Sequence, residues 1–154
     1  MKSTNIIGVI FPLPRHIIYR FLNEKKYIFV KYIPRIPTKK SKFKIVPGLK
    51  LYFYESASRK AIVVEAIIKS IEFLTIDETI DRYNEKLMIS ENELIEYANG
   101  RTKKIMALKI EDIKKLDPLI QIKGSINLAG RYVTKENIEE IFDINDLDSL
   151  GISL

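Results

Sequence analysis

Two ionisable residues stand inside otherwise apolar stretches of this chain: Lys31 in YIFVKYI (residues 27–33) and Glu65 in AIVVEAII (residues 61–68). A charge in such surroundings must find a counter-charge, reach water or perform chemistry, because burying it alone is costly. Paired with each other, the two would form a salt bridge, and Lys31 could instead extend its ammonium to a rim. Lining a pocket, a partly desolvated Lys serves as general base while a neighbouring Glu holds or relays its proton. The sequence leaves these alternatives open.

Around Lys31, aromatic and basic residues interleave: Tyr27, Phe29, Tyr32, Phe43, Tyr52, Phe53 and Tyr54 lie among Lys26, Arg35, Lys39, Lys40, Lys42 and Lys44. Aromatic faces stack on bases and cations bind phosphates, the combination that single-stranded nucleic acid requires. Strand alternation sends at least half of the aromatics into a core. Phe11, Tyr32 and Tyr54, at expected strand ends, are therefore the candidates for a base pocket, with Arg20 and Lys31 as its cations. Arg35, Lys39, Lys40, Lys42 and Lys44 lie on a connector without acids, and with Arg59 and Lys60 they form the expected phosphate-binding set.

Other chemistries find little support. There is no Cys, hence no disulfide framework, thiolate metal site or redox pair, which fits a reducing compartment. His16 is the single imidazole and makes neither a triad nor a zinc site. The six glycines form no phosphate-binding loop, and the acids lack calcium-loop spacing. No metal and no cofactor is expected.

The elements that must position these residues follow from periodicity. Ile6–Ile10 is a short buried strand in which Gly8 permits close backbone approach, and Pro14 to Leu22 has helical spacing behind an N-terminal proline. Tyr27–Ile33 and Leu51–Tyr54 are strands joined by a loop interrupted by Pro34, Pro37 and Pro47, and Ala61–Leu74 is one long strand. Thr75-Ile-Asp-Glu78 and Ser90-Glu-Asn-Glu93 are capping boxes, each opening a helix, the second with Leu94, Ile95 and Ala98 inward. Asn99-Gly100 is its stop signal. A strand at Lys104–Ile110, a turn at Asp117-Pro118, a short strand at Leu119–Ile122, an irregular NLAGRYV and a helix from Thr134 complete the pattern. Ile138, Ile141 and Phe142 face inward in that last helix. The order indicates an α+β domain over residues 1–142, a small, mostly antiparallel barrel or curved sheet with helices at its ends. Residues 143–154 form a tail that either docks or frays.

The 154 residues suffice for one domain with its own core. The net charge of +6 conceals a division: residues 1–60 carry 14 basic residues and two acids, residues 61–154 carry 12 basic and 18 acidic. Folded together, the halves should give a basic and an acidic face, the former attracting phosphate-rich partners. No apolar run approaches the ~18 residues of a membrane span, so no membrane partner and a cytoplasmic location are expected.

Taken in order, GVIFPLP, RF then YIFVK, PGLKLYFYES, VVEA and LAGRYV resemble an archaeal family of uncharacterised proteins with a PUA-like barrel, related to the ASCH and EVE domains. The similarity spans Ile6 to about Phe142. It implies a pseudobarrel of five or six strands with a cleft beside the first helix, which in related groups holds a nucleobase, often modified, or a stretch of RNA. ASCH domains commonly carry a helix, then Gly-Lys-Lys-Thr, an acidic residue and Arg. Here Asn23 to Lys31 reads NEKKYIFVK, so Lys26 keeps the first basic position and Lys31 stands at the Arg position, while the Thr and the acid are missing. Some small ASCH proteins are amidohydrolases that deacylate a cytosine with Lys, Thr and Glu, and Lys26 and Glu65 would correspond to two of these. The leading expectation is thus recognition of RNA or a modified nucleobase. The alternatives are an amidohydrolase using Lys26, Lys31 and Glu65, and an interaction module whose acidic helices meet a basic partner. The sequence specifies no oligomeric state.

Overall fold

The computed structural model describes residues 6–32, 45–57, 59–98, 104–124, 126–127 and 129–152. Six strands form one mixed sheet: β1 (Ile6–Leu13), β2 (Ile28–Tyr32), β3 (Lys50–Glu55), β4 (Ala61–Leu74), β5 (Ile105–Gln121) and β6 (Arg131–Thr134). Their order is β2-β5-β4-β3-β1-β6. Every pairing is antiparallel except β1 with β3. Helices α1 (Arg15–Asn23), α2 (Ile76–Tyr83), α3 (Glu91–Tyr97) and the single turn α4 (Ile138–Ile141) connect or follow the strands.

The sheet is strongly curled. The pairing of the long strands β4 and β5 shifts register at three places, and such irregularities bend a strand and increase its twist. As a result Phe29 of β2, at one edge, stacks on Phe11 of β1, near the other edge, with ring centroids 4.9 Å apart. Phe53 of β3 completes the group, 5.7 Å from Phe29 and 4.9 Å from Phe21 of α1. This is an open pseudobarrel filled by phenylalanines, as the α+β expectation held.

Apolar residues cluster on both faces of the sheet. The larger cluster contains the phenylalanine group and the inward residues of α1 and α3, namely Ile17, Ile18, Phe21, Leu94 and Ala98. The second joins Ile10, Tyr52, Tyr54 and Ile62 to Ile138, Ile141, Phe142, Leu147, Leu150 and Ile152. The segment after Phe142 is therefore docked: Leu150 is fully buried, and its carbonyl accepts from Lys50 Nζ at 2.7 Å. Among the described residues no helix is long and apolar enough to cross a membrane.

Both capping boxes close as expected, Thr75 with Glu78 and Ser90 with Glu93. Three expectations need correction. No turn divides the chain at Asp117-Pro118; β5 runs on to Gln121, and these residues fall where the pairing skips from Val64↔Lys115 to Ile62↔Ile120. Pro is tolerated there because an interrupted ladder asks it for no donor. Ile95 is 49% exposed, since the seven-residue helix turns only Leu94, with the capping Ala98 one turn on, toward the core. The helix expected from Thr134 begins at Ile138 instead. Thr134 and Asn137 exchange side-chain bonds with each other's backbone N–H groups, at 2.8 and 3.1 Å, which holds residues 134–137 in a turn.

Candidate functional site

A cleft of about 370 Å³ opens beside β1 and β6, lined by Val9, Phe11, Ala129, Gly130, Arg131, Tyr132, Thr134 and Asn137. That volume is within the usual range of small-molecule sites. Its wall is built by local rules. Gly130 turns the chain into β6 at φ +84, and a Cβ there would lie 2.6 Å from the Phe11 ring and 2.7 Å from the Ile10 carbonyl oxygen. Only glycine lets the backbone lie against the ring in that conformation. Asn137 then fixes the far side, donating from Nδ2 to the Tyr132 carbonyl at 3.0 Å while accepting from the Thr134 N–H.

Lys31 does not line the cleft but approaches its Phe11 wall. Its Nζ lies 5.5 Å from the centroid of Phe11, a cation–π distance, and burial lowers the ammonium's pKa below the ordinary lysine value. Burial likewise raises the Tyr132 phenol. Arg131, at the opening, approaches Glu140 at 3.7 Å. The cleft thus combines an aromatic wall, a phenol, a hydroxyl and the Arg131 guanidinium, and none of its described lining residues carries a carboxylate.

The other residues singled out in the sequence lie elsewhere. Lys31 and Glu65 do not form a pair. Lys31 is opposite Met106, and Met106 is opposite Phe73, eight residues along β4 from Glu65, about 26 Å of extended chain. Glu65 is opposite Tyr52 on the face covered by the C-terminal segment, and its carboxylate is 3.8 Å from Lys50 Nζ. Among the described residues, its Oε1 and the Tyr52 hydroxyl are buried without a hydrogen-bond partner. Burial, reinforced by the Glu65 charge, pushes the Tyr52 phenol far up.

Arg20 and Lys26 line a separate, more polar groove of about 410 Å³ with Glu24, Glu85 and Glu91. Arg20 is committed there: it donates to both oxygens of Glu93, at 2.7 and 3.2 Å, and to the Met88 carbonyl at 2.9 Å. Lys26 Nζ donates to the Glu85 carbonyl at 2.6 Å. Tyr54 is buried in the second apolar cluster. Tyr32 is half-buried at the end of β2, where its N–H donates to the Tyr97 hydroxyl at 2.7 Å. Arg59 is 3.7 Å from the buried Glu55, and Lys60, exposed, occupies a left-handed turn at φ 52. Arg35, Lys39, Lys40, Lys42 and Lys44 lie outside the described residues.

Of the expected base pocket, then, Phe11 and Lys31 come together. Gly130, Arg131, Tyr132, Thr134 and Asn137 join them without having been singled out as site residues. The signal available for them was Gly130 interrupting a regular pattern just before the RYV strand.

Comparison with known proteins agrees with this architecture. The ASCH protein of Zymomonas mobilis superposes with a TM-score of 0.64 at 16% identity, covering 87% of this chain and 92% of that one. A Ser-to-Ala variant of the same protein gives 0.65 at 17% identity, covering 88% and 94%. The fold is therefore that of the ASCH domains. An uncharacterized protein of Methanocaldococcus jannaschii is 24% identical over 104 residues, 60% of this chain and 96% of its own length. Residues 6–135 match the family model described as domain of unknown function DUF365, and the chain belongs to that family.

Proposed function

We infer that this protein binds nucleic acid and receives a nucleobase, in RNA or as a modified nucleoside, in the cleft beside β1 and β6. The carrying observation is the composition of that cleft: the Phe11 ring, a phenol, a hydroxyl and the Arg131 guanidinium, with no carboxylate among the described lining residues, and the Lys31 ammonium 5.5 Å from the same ring. An aromatic wall suits a planar ring, and hydroxyl and ammonium donors suit its carbonyl and ring-nitrogen acceptors. Arg35, Lys39, Lys40, Lys42 and Lys44 would add phosphate contacts.

Acid–base catalysis draws less support. Lys26, Lys31 and Glu65, the residues an amidohydrolase would need, occupy three different places, and Glu65 already faces Lys50 beneath the C-terminal segment. Binding of free nucleosides followed by isothermal calorimetry tests the proposal, with Lys31→Met as the variant. Lys31→Met keeps side-chain length and removes the cation. A ten-fold or larger loss of affinity with an unchanged circular dichroism spectrum is expected. Undiminished affinity would reject Lys31 as part of the site. Acid release from acylated cytidine by the wild type, lost in Glu65→Gln, would favour the enzyme instead.

A further inference from the structure

Away from the cleft, two lysines from separate parts of the chain meet around one ring. Lys86 Nζ lies 5.8 Å and Lys109 Nζ 5.7 Å from the centroid of Tyr27. The backbone fixes this meeting: the Tyr27 N–H donates to the Lys86 carbonyl at 3.1 Å, and the Ile110 N–H, next to Lys109, donates to the Tyr27 carbonyl at 3.0 Å. Lys26, beside Tyr27, is tied to the same 3-10 turn (Asn84–Lys86) through the Glu85 carbonyl. Lys86 is exposed, and Tyr27, Lys26 and Lys109 are half-exposed.

Like charges gathered this way repel, and a protein usually places an acid among them. Among the described residues no carboxylate pairs with Lys26, Lys86 or Lys109. Glu24 and Glu85 lie with Lys26 on the polar groove, and Glu111, two residues from Lys109, reaches Lys69 at 4.0 Å. The negative face of the Tyr27 ring compensates only part of the charge. Cations held together by the backbone around a partly exposed aromatic ring, with no carboxylate pairing them among the described residues, are suited to the backbone of a single strand, with phosphates at the ammonium groups.

We propose that Lys86 and Lys109, arranged around Tyr27, are a phosphodiester-binding site for single-stranded RNA, separate from the base cleft. The proposal rests on the reading that the chain binds nucleic acid, and extends it to a second contact surface about 13 Å along β2 from Lys31, four residues away.

The test uses the full chain and a labelled, mixed-sequence single-stranded RNA, with affinity measured by fluorescence anisotropy over a range of salt concentrations. Each phosphate neutralised on a single strand contributes about 0.7 to the slope of log affinity against log salt. Lys86→Gln with Lys109→Gln should flatten the slope by about 1.4, and Lys86→Gln alone by about half of that. Lys114→Gln with Lys115→Gln, which removes two exposed charges elsewhere on β5, should leave it unchanged. A slope unaltered in the first double variant, or reduced equally in both, would show solvated lysines only and overturn the site. So would an absence of RNA binding by the wild type. Free-nucleoside binding reports separately on the cleft, because it involves no phosphate: its failure with an intact RNA slope effect would remove the cleft and leave this site standing.

Discussion

Glu93 performs two tasks with one carboxylate. It accepts from the Ser90 N–H at 2.7 Å, closing the cap of α3, and binds the Arg20 guanidinium, which ties α3 to α1. The Arg20 hydrogen bonds, helped by the Ser90 N–H, hold its pKa down at about 2, against an ordinary 4.5. A depressed folded-state pKa means that this stabilisation is complete above pH 4.5 and is lost as pH falls through about 2. The carboxylate is 39% exposed, so screening reduces its value to about 1 kcal/mol. Glu93→Gln should therefore cost about that much in urea unfolding at neutral pH, and the difference from wild type should shrink steadily as the pH is lowered from 4.5. Glu65→Gln should also destabilise, by about 1 kcal/mol through loss of the Lys50 pairing, yet leave nucleoside affinity unchanged because Glu65 faces away from the cleft. The cap was legible in the sequence because its partners are three residues apart. The partner of Glu65 was not, because the choice of Lys50 over Lys31 depends on which rows the strands place side by side.

Among the elements, the loop entering β6 and the C-terminal segment make the sharpest predictions. Gly130→Ala forces a Cβ against Phe11 and Ile10 at a φ of +84, so either the loop moves or the ring does. A loss of about 1–3 kcal/mol in thermal unfolding is expected, with a larger proportional loss of nucleoside affinity than any equally destabilising substitution far from the cleft. Leu150→Ala removes a fully buried side chain from the second apolar cluster and should cost about 2–5 kcal/mol by chemical denaturation. A cost under 0.5 kcal/mol would mean that the segment contributes little to that core. The long strand Ala61–Leu74 and both capped helix starts could be read directly, since their patterns are local. The continuation of β5 through Pro118 could not be, because the tolerance for proline arises from a skip in the β4–β5 ladder. The docking of Leu147, Leu150 and Ile152 was left open for a similar reason, as nothing near them in sequence shows the apolar face they cover.

At the scale of the whole molecule, the curled sheet brings β1 and β2 together across the pseudobarrel, and that closure puts Lys31 over Phe11. An aromatic with a half-buried cation beside a glycine-shaped wall is a consequence of the ASCH-type fold carrying these particular residues. The fold was readable from the order of elements. The cleft was readable only in part, because Tyr132, Thr134 and Asn137 look like ordinary strand and turn residues until the chain closes. The most direct measurement is a heteronuclear NMR titration of the protein with unphosphorylated nucleosides. Base binding in the cleft predicts saturable shifts of the Val9, Phe11, Gly130 and Tyr132 amides, with affinity weakened at least ten-fold in Lys31→Met. Saturable shifts confined to the groove of Arg20 and Lys26, or no shifts with any common or modified nucleoside, would contradict it.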